Sequence, residues 1–140
     1  MPADLRKIDA KKCTGCRICE LVCSLHHSGA INPRKSRIRV WRLDDRDAIE
    51  TCRHCATPKC VPACPTGALA IANDQVVYVK EKCDLCGACI AACPFPGALR
   101  IFDGELLKCD FCGGKLLCAQ YCMMGALVEK SKPKTVNRKP

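Results

Sequence analysis

Aromatic side chains are scarce in this sequence, which has one Trp, two Tyr and three Phe among its 140 residues. A chain of this length corresponds to about one domain. Aromatic residues bury the largest apolar areas, so a core built with so few of them is small. The scarcity also argues against a nucleic-acid partner, because single-strand-binding proteins stack bases on aromatic rings. The fold therefore needs another source of stability.

Long apolar runs are missing as well. The longest apolar region, residues 88–101, is interrupted by Pro94, Pro96 and Arg100, and a membrane-spanning helix needs about 20 apolar residues. The first twelve residues carry six charged side chains and no apolar run, unlike a secretory signal peptide. We therefore expect a cytoplasmic protein without a membrane span, whose thiols stay reduced. Export together with a partner that carries its own signal stays open.

Cysteine is what the sequence has in excess, with 16 of 140 residues. This proportion is typical of a chain stabilised by disulfides or by metals, and a cytoplasmic location favours metals. The cysteines form four groups of four with none left over. The groups are Cys13, Cys16, Cys19 and Cys23; Cys52, Cys55, Cys60 and Cys64; Cys83, Cys86, Cys89 and Cys93; and Cys109, Cys112, Cys118 and Cys122.

The spacing within the groups indicates [4Fe–4S] clusters. Groups one and three follow the run C-x₂-C-x₂-C-x₃-C, in which three closely spaced thiolates bind one cluster and the fourth cysteine binds another. The x₃ step is about one helical turn, which directs the fourth cysteine away from its own loop. Groups two and four widen only the middle gap. Sixteen cysteines therefore predict four [4Fe–4S] clusters.

The positive charge of the chain is consistent with such clusters. The formal net charge is +9 when cysteine is counted as neutral. A cluster with four thiolates carries about two negative charges, so four of them reduce the total to about +1. The basic residues therefore act largely as counter-charges, which weakens an argument for nucleic acid from charge alone.

The pairing of the groups can be argued from the residues after each fourth cysteine. Only groups two and three continue with proline, at Pro65 and Pro94, so we expect these neighbours to share two clusters and groups one and four to pair around them. The alternative pairs group one with two and group three with four. Nested pairing predicts four ligand sets: Cys52, Cys55, Cys60 and Cys93; Cys83, Cys86, Cys89 and Cys64; Cys13, Cys16, Cys19 and Cys122; Cys109, Cys112, Cys118 and Cys23.

The predicted fold class is α+β, with two interleaved bacterial-ferredoxin-like dicluster modules, short helices, β-hairpins and little core beyond the clusters. Turn signals predict hairpins of residues 70–72 with 76–79 and 100–102 with 105–107. A strand near 37–43 and a helical piece at 88–93 complete the elements. The predicted organisation is one four-cluster domain at 1–128 (outer module 1–51 plus 103–128, inner module 52–102) and a flexible basic tail at 129–140.

The remaining reactive side chains do not form a catalytic set. His54 lies between Cys52 and Cys55, where it either donates a hydrogen bond to a cluster sulfur or is a partly buried loop residue. His26 and His27 are expected at the end of the first helix. The basic run at residues 34–42 either steers an acidic partner or balances cluster charge on a solvated strand face.

The four cysteine groups, from Cys13 to Cys122, resemble those of the ferredoxin-like subunits that serve molybdenum and tungsten oxidoreductases, such as formate dehydrogenase and dimethyl sulfoxide reductase. In that family the nested pairing is the rule. Residues 13–27 and 32–38 are similar to the small subunits of tungsten aldehyde:ferredoxin oxidoreductase-type enzymes.

The resemblance implies that the chain is a non-catalytic subunit relaying single electrons to or from a molybdenum or tungsten catalytic subunit, of aldehyde oxidoreductase type. A flavin or ferredoxin protein is a further expected partner, and a linear cluster array would also admit further copies of the chain. Two alternatives stay open: a free-standing soluble polyferredoxin, and a module of four Cys₄ zinc sites. Zinc ribbons use separated C-x₂-C pairs, which does not match the longer run here.

Overall fold

The structure is a computed structural model that describes residues 6–73 and 75–129. Its elements are short, and the cysteine loops lie between them. The helices are α1 (Ile18–Ser28), α2 (Cys60–Ala63), α3 (Ala88–Ala92) and α4 (Leu117–Tyr121). The strands are β1 (Arg6–Ile8), β2 (Ile38–Arg42), β3 (Asp47–Thr51), β4 (Leu69–Ala72), β5 (Gln75–Tyr78), β6 (Arg100–Phe102), β7 (Glu105–Leu107) and β8 (Leu127–Glu129).

The strands pair into antiparallel two-stranded ladders. Three ladders are local hairpins, β2–β3, β4–β5 and β6–β7. At the β6–β7 turn, Asp103 and Gly104 both have positive φ, +54° and +70°, as the right-handed twist of a two-residue hairpin requires. Both predicted hairpins are confirmed: the second has the predicted bounds, and the first has strand ends shifted by one residue.

The fourth ladder joins the two ends of the described chain. Strand β1 pairs with β8, so that Ile8 lies opposite Leu127. Leu127 is buried, with 1% of its surface exposed. This pairing brings group one beside group four, and it rests on contacts between residues more than a hundred positions apart.

Helix α1 is attached to β2 by a buried carboxylate. Glu20 is 1% exposed, and its Oε1 accepts a hydrogen bond of 2.7 Å from the backbone N–H of Val40. Arg39 Nε lies 3.7 Å from the same oxygen. The helix ends at Gly29, whose φ of +74° forms a left-handed C-cap. His26 and His27 lie in its last turn, as expected.

The packed interior consists of two clusters of buried side chains. One contains Ile38, Val40, Phe111, Leu116 and Leu127 together with cysteines of groups one, two and four. The other contains Leu69, Val76, Leu99 and Leu106 together with Cys60 and Cys89. The division into an outer and an inner module stays a prediction, and the β6–β7 hairpin straddles its second boundary.

The predicted tail begins one residue too early, because Glu129 ends strand β8. Residues 130–140 lie outside the described residues. In the part of the sequence that is described, no helix is both long and apolar enough to cross a membrane.

Candidate metal-cluster sites

Three cavities are each lined by four cysteines from two groups. We call them site 1, lined by Cys13, Cys16, Cys19 and Cys122; site 2, lined by Cys109, Cys112, Cys118 and Cys23; and site 4, lined by Cys83, Cys86, Cys89 and Cys64.

The remaining cysteines, Cys52, Cys55, Cys60 and Cys93, are called site 3. Burial raises the pKa of the Cys60 thiol to about 11, and the charges of Cys52 and Cys93 add to the increase. Burial also raises the pKa of Cys52, to which Cys55 contributes. Cys93 therefore lies close to cysteines of group two, although it belongs to group three. The cavities of sites 1, 2 and 4 each bring together the four cysteines of one nested set, and in site 3 the proximity of Cys93 to Cys60 agrees with the same arrangement.

The sulfur spacing separates two kinds of metal site. A tetrahedral zinc ion with Zn–S bonds of about 2.3 Å holds its sulfurs about 3.8 Å apart. Among the described residues, which include all sixteen cysteines, no three cysteine sulfurs lie within 4.8 Å of one another. A spacing wider than this suits a group that is larger than a single ion and separates its four ligands.

The chemistry of the sites also fits an iron–sulfur cluster. The other residues around site 1 include Val40, Ile49 and Leu127, which keep water away. Burial raises the pKa values of Cys19 and Cys112 to about 12, so these thiols need bound positive metal ions to become thiolates. Soft sulfur donors in an apolar cavity are the ligands that iron–sulfur clusters use.

Backbone amides point at the first cysteine of three groups. The N–H groups of Gly15, His54 and Phe111 donate to Cys13, Cys52 and Cys109 over 3.4, 3.5 and 3.4 Å. Each donor stands two residues after its cysteine. Hydrogen bonds to the sulfurs tune the reduction potential of a cluster.

A left-handed backbone accompanies this position in all four groups. Gly15 has a φ of +74°, His54 of +46°, Leu85 of +61° and Phe111 of +56°. Three of the four are not glycine, and a left-handed conformation costs such residues about 1–2 kcal/mol. Strain of this kind persists where the surrounding structure fixes it, often at binding sites.

The fourth cysteines of groups one and two also receive amide donors. Arg37 N–H donates to Cys23 over 3.2 Å, and Ala68 N–H donates to Cys64 over 3.3 Å. These donors come from outside the cysteine loops, on the segment that follows each helix.

Sites 2 and 3 meet at equivalent loop positions. The rings of His54 and Phe111 stack with centroids 3.9 Å apart and an interplanar angle of 25°. His54 is 1% exposed, and its Nδ1 accepts a hydrogen bond of 3.3 Å from Val76 N–H, which places the ring proton on Nε2. The expectation of a partly buried histidine is wrong: the residue is fully buried, and the donor to sulfur is its backbone amide.

A histidine–carboxylate pair borders site 2. The Nδ1–H of His27 donates to Cys23 O over 2.9 Å, and its Nε2–H donates to Asp110 Oδ1 over 2.8 Å. Two donors require the imidazolium form. Burial opposes protonation, but the bonds to Asp110 and Cys23 outweigh it and raise the pKa of His27 to about 10. The two residues are 83 positions apart, so no local pattern in the sequence indicates this pair.

The basic run at residues 34–42 is largely paired within the chain. Arg37 lies 3.3 Å from Glu105, Arg39 lies 3.7 Å from Glu20 and Arg42 lies 3.1 Å from Asp47. Lys35 lies 3.3 Å from Asp103. This pairing argues against a free docking strip, and the partners of these four residues are carboxylates of the chain itself.

The helices connect the sites in a fixed order. Helix α1 carries Cys19 of site 1 and Cys23 of site 2. Helix α2 begins at Cys60 of site 3, and Cys64 of site 4 follows its last residue. The stacked loops join sites 2 and 3. Among the cysteines, Cys16 and Cys86 are the exposed ones, and they belong to sites 1 and 4. The order is therefore 1–2–3–4, with an accessible cysteine at each end.

Comparison with known proteins gives matches over most of the chain. Two family profiles, both described as 4Fe-4S dicluster domain, match residues 12–68 and 44–94. The polyferredoxin-like subunit of the aliphatic sulfonate oxidoreductase of Pyrococcus furiosus is 44% identical over 119 residues, which are 82% of this chain and 69% of that subunit. The B subunit of the anaerobic dimethyl sulfoxide reductase of Escherichia coli is 32% identical, with 86% of this chain and 69% of the relative covered.

Other relatives are much longer, and the chain spans 20–28% of three of them. Among solved structures, a subunit of the active site complex BamBC of Benzoyl Coenzyme A reductase with 1,5 Dienoyl-CoA aligns with 27% identity and a TM-score of 0.50. That alignment covers 96% of this chain and 82% of the other.

Proposed function

The protein belongs to the polyferredoxin-like iron–sulfur subunits of oxidoreductases, which carry 4Fe-4S dicluster domains, and from that premise we propose that it relays single electrons through four [4Fe–4S] clusters between a catalytic subunit and a second redox partner. In this proposal the chain carries electrons, and the reaction on the substrate takes place in the catalytic subunit. Bound [4Fe–4S] clusters supply one-electron redox chemistry.

The observation that carries the proposal is that each cavity combines three cysteines of one group with the fourth of another. We propose all sixteen cysteines as cluster ligands in the nested sets of sites 1 to 4. Helical turns direct the fourth cysteines out of their own loops, namely Cys23, Cys64, Cys93 and Cys122. Apolar residues keep water away from the sites. Backbone amides donate hydrogen bonds to the sulfurs. Wide sulfur spacing disfavours the zinc alternative.

The order of the sites supports a continuous path for electrons. Neighbouring sites share a helix or a stacked loop contact, so the chain keeps them at fixed separations. The exposed Cys16 and Cys86 mark the two ends, where electrons can enter and leave. Sites 2 and 3 lie between these ends. The buried Phe111 and Leu116 line site 2, and the buried Val76 packs in one cluster with Cys60 of site 3.

The identity of the partner is the finer part of the proposal. We propose a molybdenum or tungsten catalytic subunit in the cytoplasm, of aldehyde oxidoreductase type, on the basis of the segments at residues 13–27 and 32–38. The names of the relatives, which include subunits of a sulfonate oxidoreductase and of a dimethyl sulfoxide reductase, support a catalytic partner in general. A free-standing polyferredoxin is the alternative, and further copies of the chain and a flavin or ferredoxin protein remain proposed partners.

Native purification tests this proposal. The chain is purified without oxygen from its own host through a mild affinity tag, and the product is analysed for co-purifying protein and for iron, molybdenum and tungsten. We expect a stoichiometric larger subunit that carries tungsten or molybdenum. A chain that is recovered alone, with a full complement of iron and under conditions that preserve known complexes, would support the free-standing carrier instead.

A further inference from the structure

Lys108 is a buried cation at the boundary between sites 2 and 3. It lies between the end of β7 and Cys109, and only 3% of its surface is exposed. Lysine is among the residues least often buried, since removing an ammonium group from water is costly unless a negative charge compensates for it. A buried ammonium group at this position therefore requires a negative charge nearby.

The hydrogen bonds of Lys108 go to neutral groups. Its Nζ donates to Val76 O over 2.5 Å and to Cys109 O over 2.9 Å. Among residues 6–73 and 75–129, no carboxylate oxygen lies within 4.0 Å of this nitrogen, whereas Lys35 and Lys80 each have one. The two carbonyl groups orient the ammonium group but do not neutralise it.

Lys108 lies beside the first loops of two sites. Val76, whose carbonyl accepts the bond from Lys108 Nζ, donates its N–H to the ring of His54, two residues after Cys52 of site 3. The bond to Cys109 O holds the ammonium group beside site 2. Lys108 thus lies between two neighbouring sets of four cysteines, where bound clusters would supply the missing negative charge.

We propose that Lys108 is a positioning residue that serves as the shared internal counter-ion of sites 2 and 3 and raises the reduction potentials of the clusters bound there. This inference rests on the proposed function. The Lys108 ammonium group interacts more favourably with the reduced than with the oxidised centre, because the reduced one carries an additional negative charge. The interaction is weakly screened, since the residue is shielded from solvent.

The chain offers a matched control for this charge. Lys82 precedes Cys83 as Lys108 precedes Cys109, but Lys82 is exposed to solvent. The test compares Lys108→Gln, Lys108→Arg and Lys82→Gln in the anaerobically prepared holoprotein, by iron analysis and by redox titration followed with EPR. Lys108→Gln should keep its iron and lower the midpoint potentials of two of the four clusters. Lys108→Arg and Lys82→Gln should leave all four near the wild-type values.

Unchanged potentials in an iron-replete Lys108→Gln protein would overturn the inference, and so would equal shifts in the Arg and Gln variants. Iron analysis shows whether the clusters are present at all, independently of their potentials. A failure of the proposed function is therefore recognised before any potential is measured. If Lys108→Gln does not retain its iron, a second measurement on the wild-type protein tests the same inference. Wild-type protein labelled with [ε-¹⁵N]lysine should show one lysine nitrogen coupled to two reduced clusters in pulsed EPR, and the absence of such coupling would contradict the inference.

Discussion

Glu20 illustrates how single polar residues hold the sites in place. Its carboxylate is buried between α1 and β2, where it accepts the hydrogen bond from Val40 N–H and lies near Arg39. Because Glu20 follows Cys19 directly, the same bond positions the loop of site 1. A buried donor that loses its acceptor costs about 1–3 kcal/mol.

We therefore expect Glu20→Ala to lower the free energy of unfolding by about 1–3 kcal/mol. The holoprotein should accordingly lose its visible absorbance at a lower temperature. Glu20→Gln is the matched control, since its amide oxygen can still accept the bond from Val40. The Gln variant should lie between wild type and the Ala variant. Equal behaviour of Glu20→Ala and wild type would show that this contact contributes little.

The crossed ligation makes a prediction at single cysteines. Cys93→Ser should damage site 3 and spare site 4. Cys55 is a ligand of site 3 and Cys86 of site 4, so their Ser variants serve as references. The loss of EPR signal in Cys93→Ser should therefore match that in Cys55→Ser. A signal loss that matches Cys86→Ser instead would support ligation within group three.

Sequence reasoning identified the cysteines but not the residues around them. Lys12, Lys82 and Lys108 each precede the first cysteine of a group, and only burial distinguishes Lys108 from the two exposed lysines. The stacking of His54 on Phe111 and the pair of His27 with Asp110 depend on residues that are distant along the chain. Such contacts follow from the tertiary structure, which local patterns do not encode.

At the scale of the element, the cysteine loop is a repeated backbone unit. In every group the residue two positions after the first cysteine is left-handed, and in three groups its amide donates to that cysteine. The position holds glycine only once, at Gly15, whereas the left-handed Gly87 stands directly after the second cysteine of group three. A Cβ at Gly15 would lie 3.2 Å from Asp47 Oδ1, while a Cβ at Gly87 would meet nothing within 4 Å.

This difference predicts unequal effects of two glycine substitutions. Gly15→Ala and Gly87→Ala both introduce left-handed strain of about 1–2 kcal/mol. Gly15→Ala should cost more, because the new methyl group crowds the buried Asp47, which is 4% exposed and pairs with Arg42. The comparison is made by thermal bleaching of the two holoproteins, and a greater loss in Gly87→Ala would contradict this account of the loop.

The elements themselves were partly predictable. The hairpins around residues 73 and 103, the strand at 38–42 and the helix at 88–92 follow from turn residues and local patterns. Strand β3 and the pairing of β1 with β8 were not predicted. The β1–β8 ladder has only three residues in each strand, and its partners are too far apart for a turn to indicate the pairing.

For the whole molecule, the cysteines take the place of an ordinary core. The larger cluster of buried side chains includes Cys19, Cys23, Cys52, Cys109 and Cys118. Three cavities lined by cysteine sulfurs interrupt the packing of the apolar side chains. Four bound clusters would also offset most of the charge of +9, so stability and charge would depend on the same cofactors.

Removal of iron should therefore unfold the chain, because metal binding in such a small domain is also folding energy. Treatment with a chelator and a reductant under argon should abolish the far-ultraviolet circular dichroism of the helices together with the brown colour. Reconstitution with iron and sulfide should restore both. An iron-free chain that keeps its circular dichroism would show that the polypeptide alone stabilises the fold.

The most direct test of the central claim is the iron content of the anaerobically prepared protein. Four sites of four thiolates each predict about sixteen irons per chain, with a similar amount of acid-labile sulfide. A value of about four metal ions per chain without sulfide, one for each cysteine set, would contradict the account.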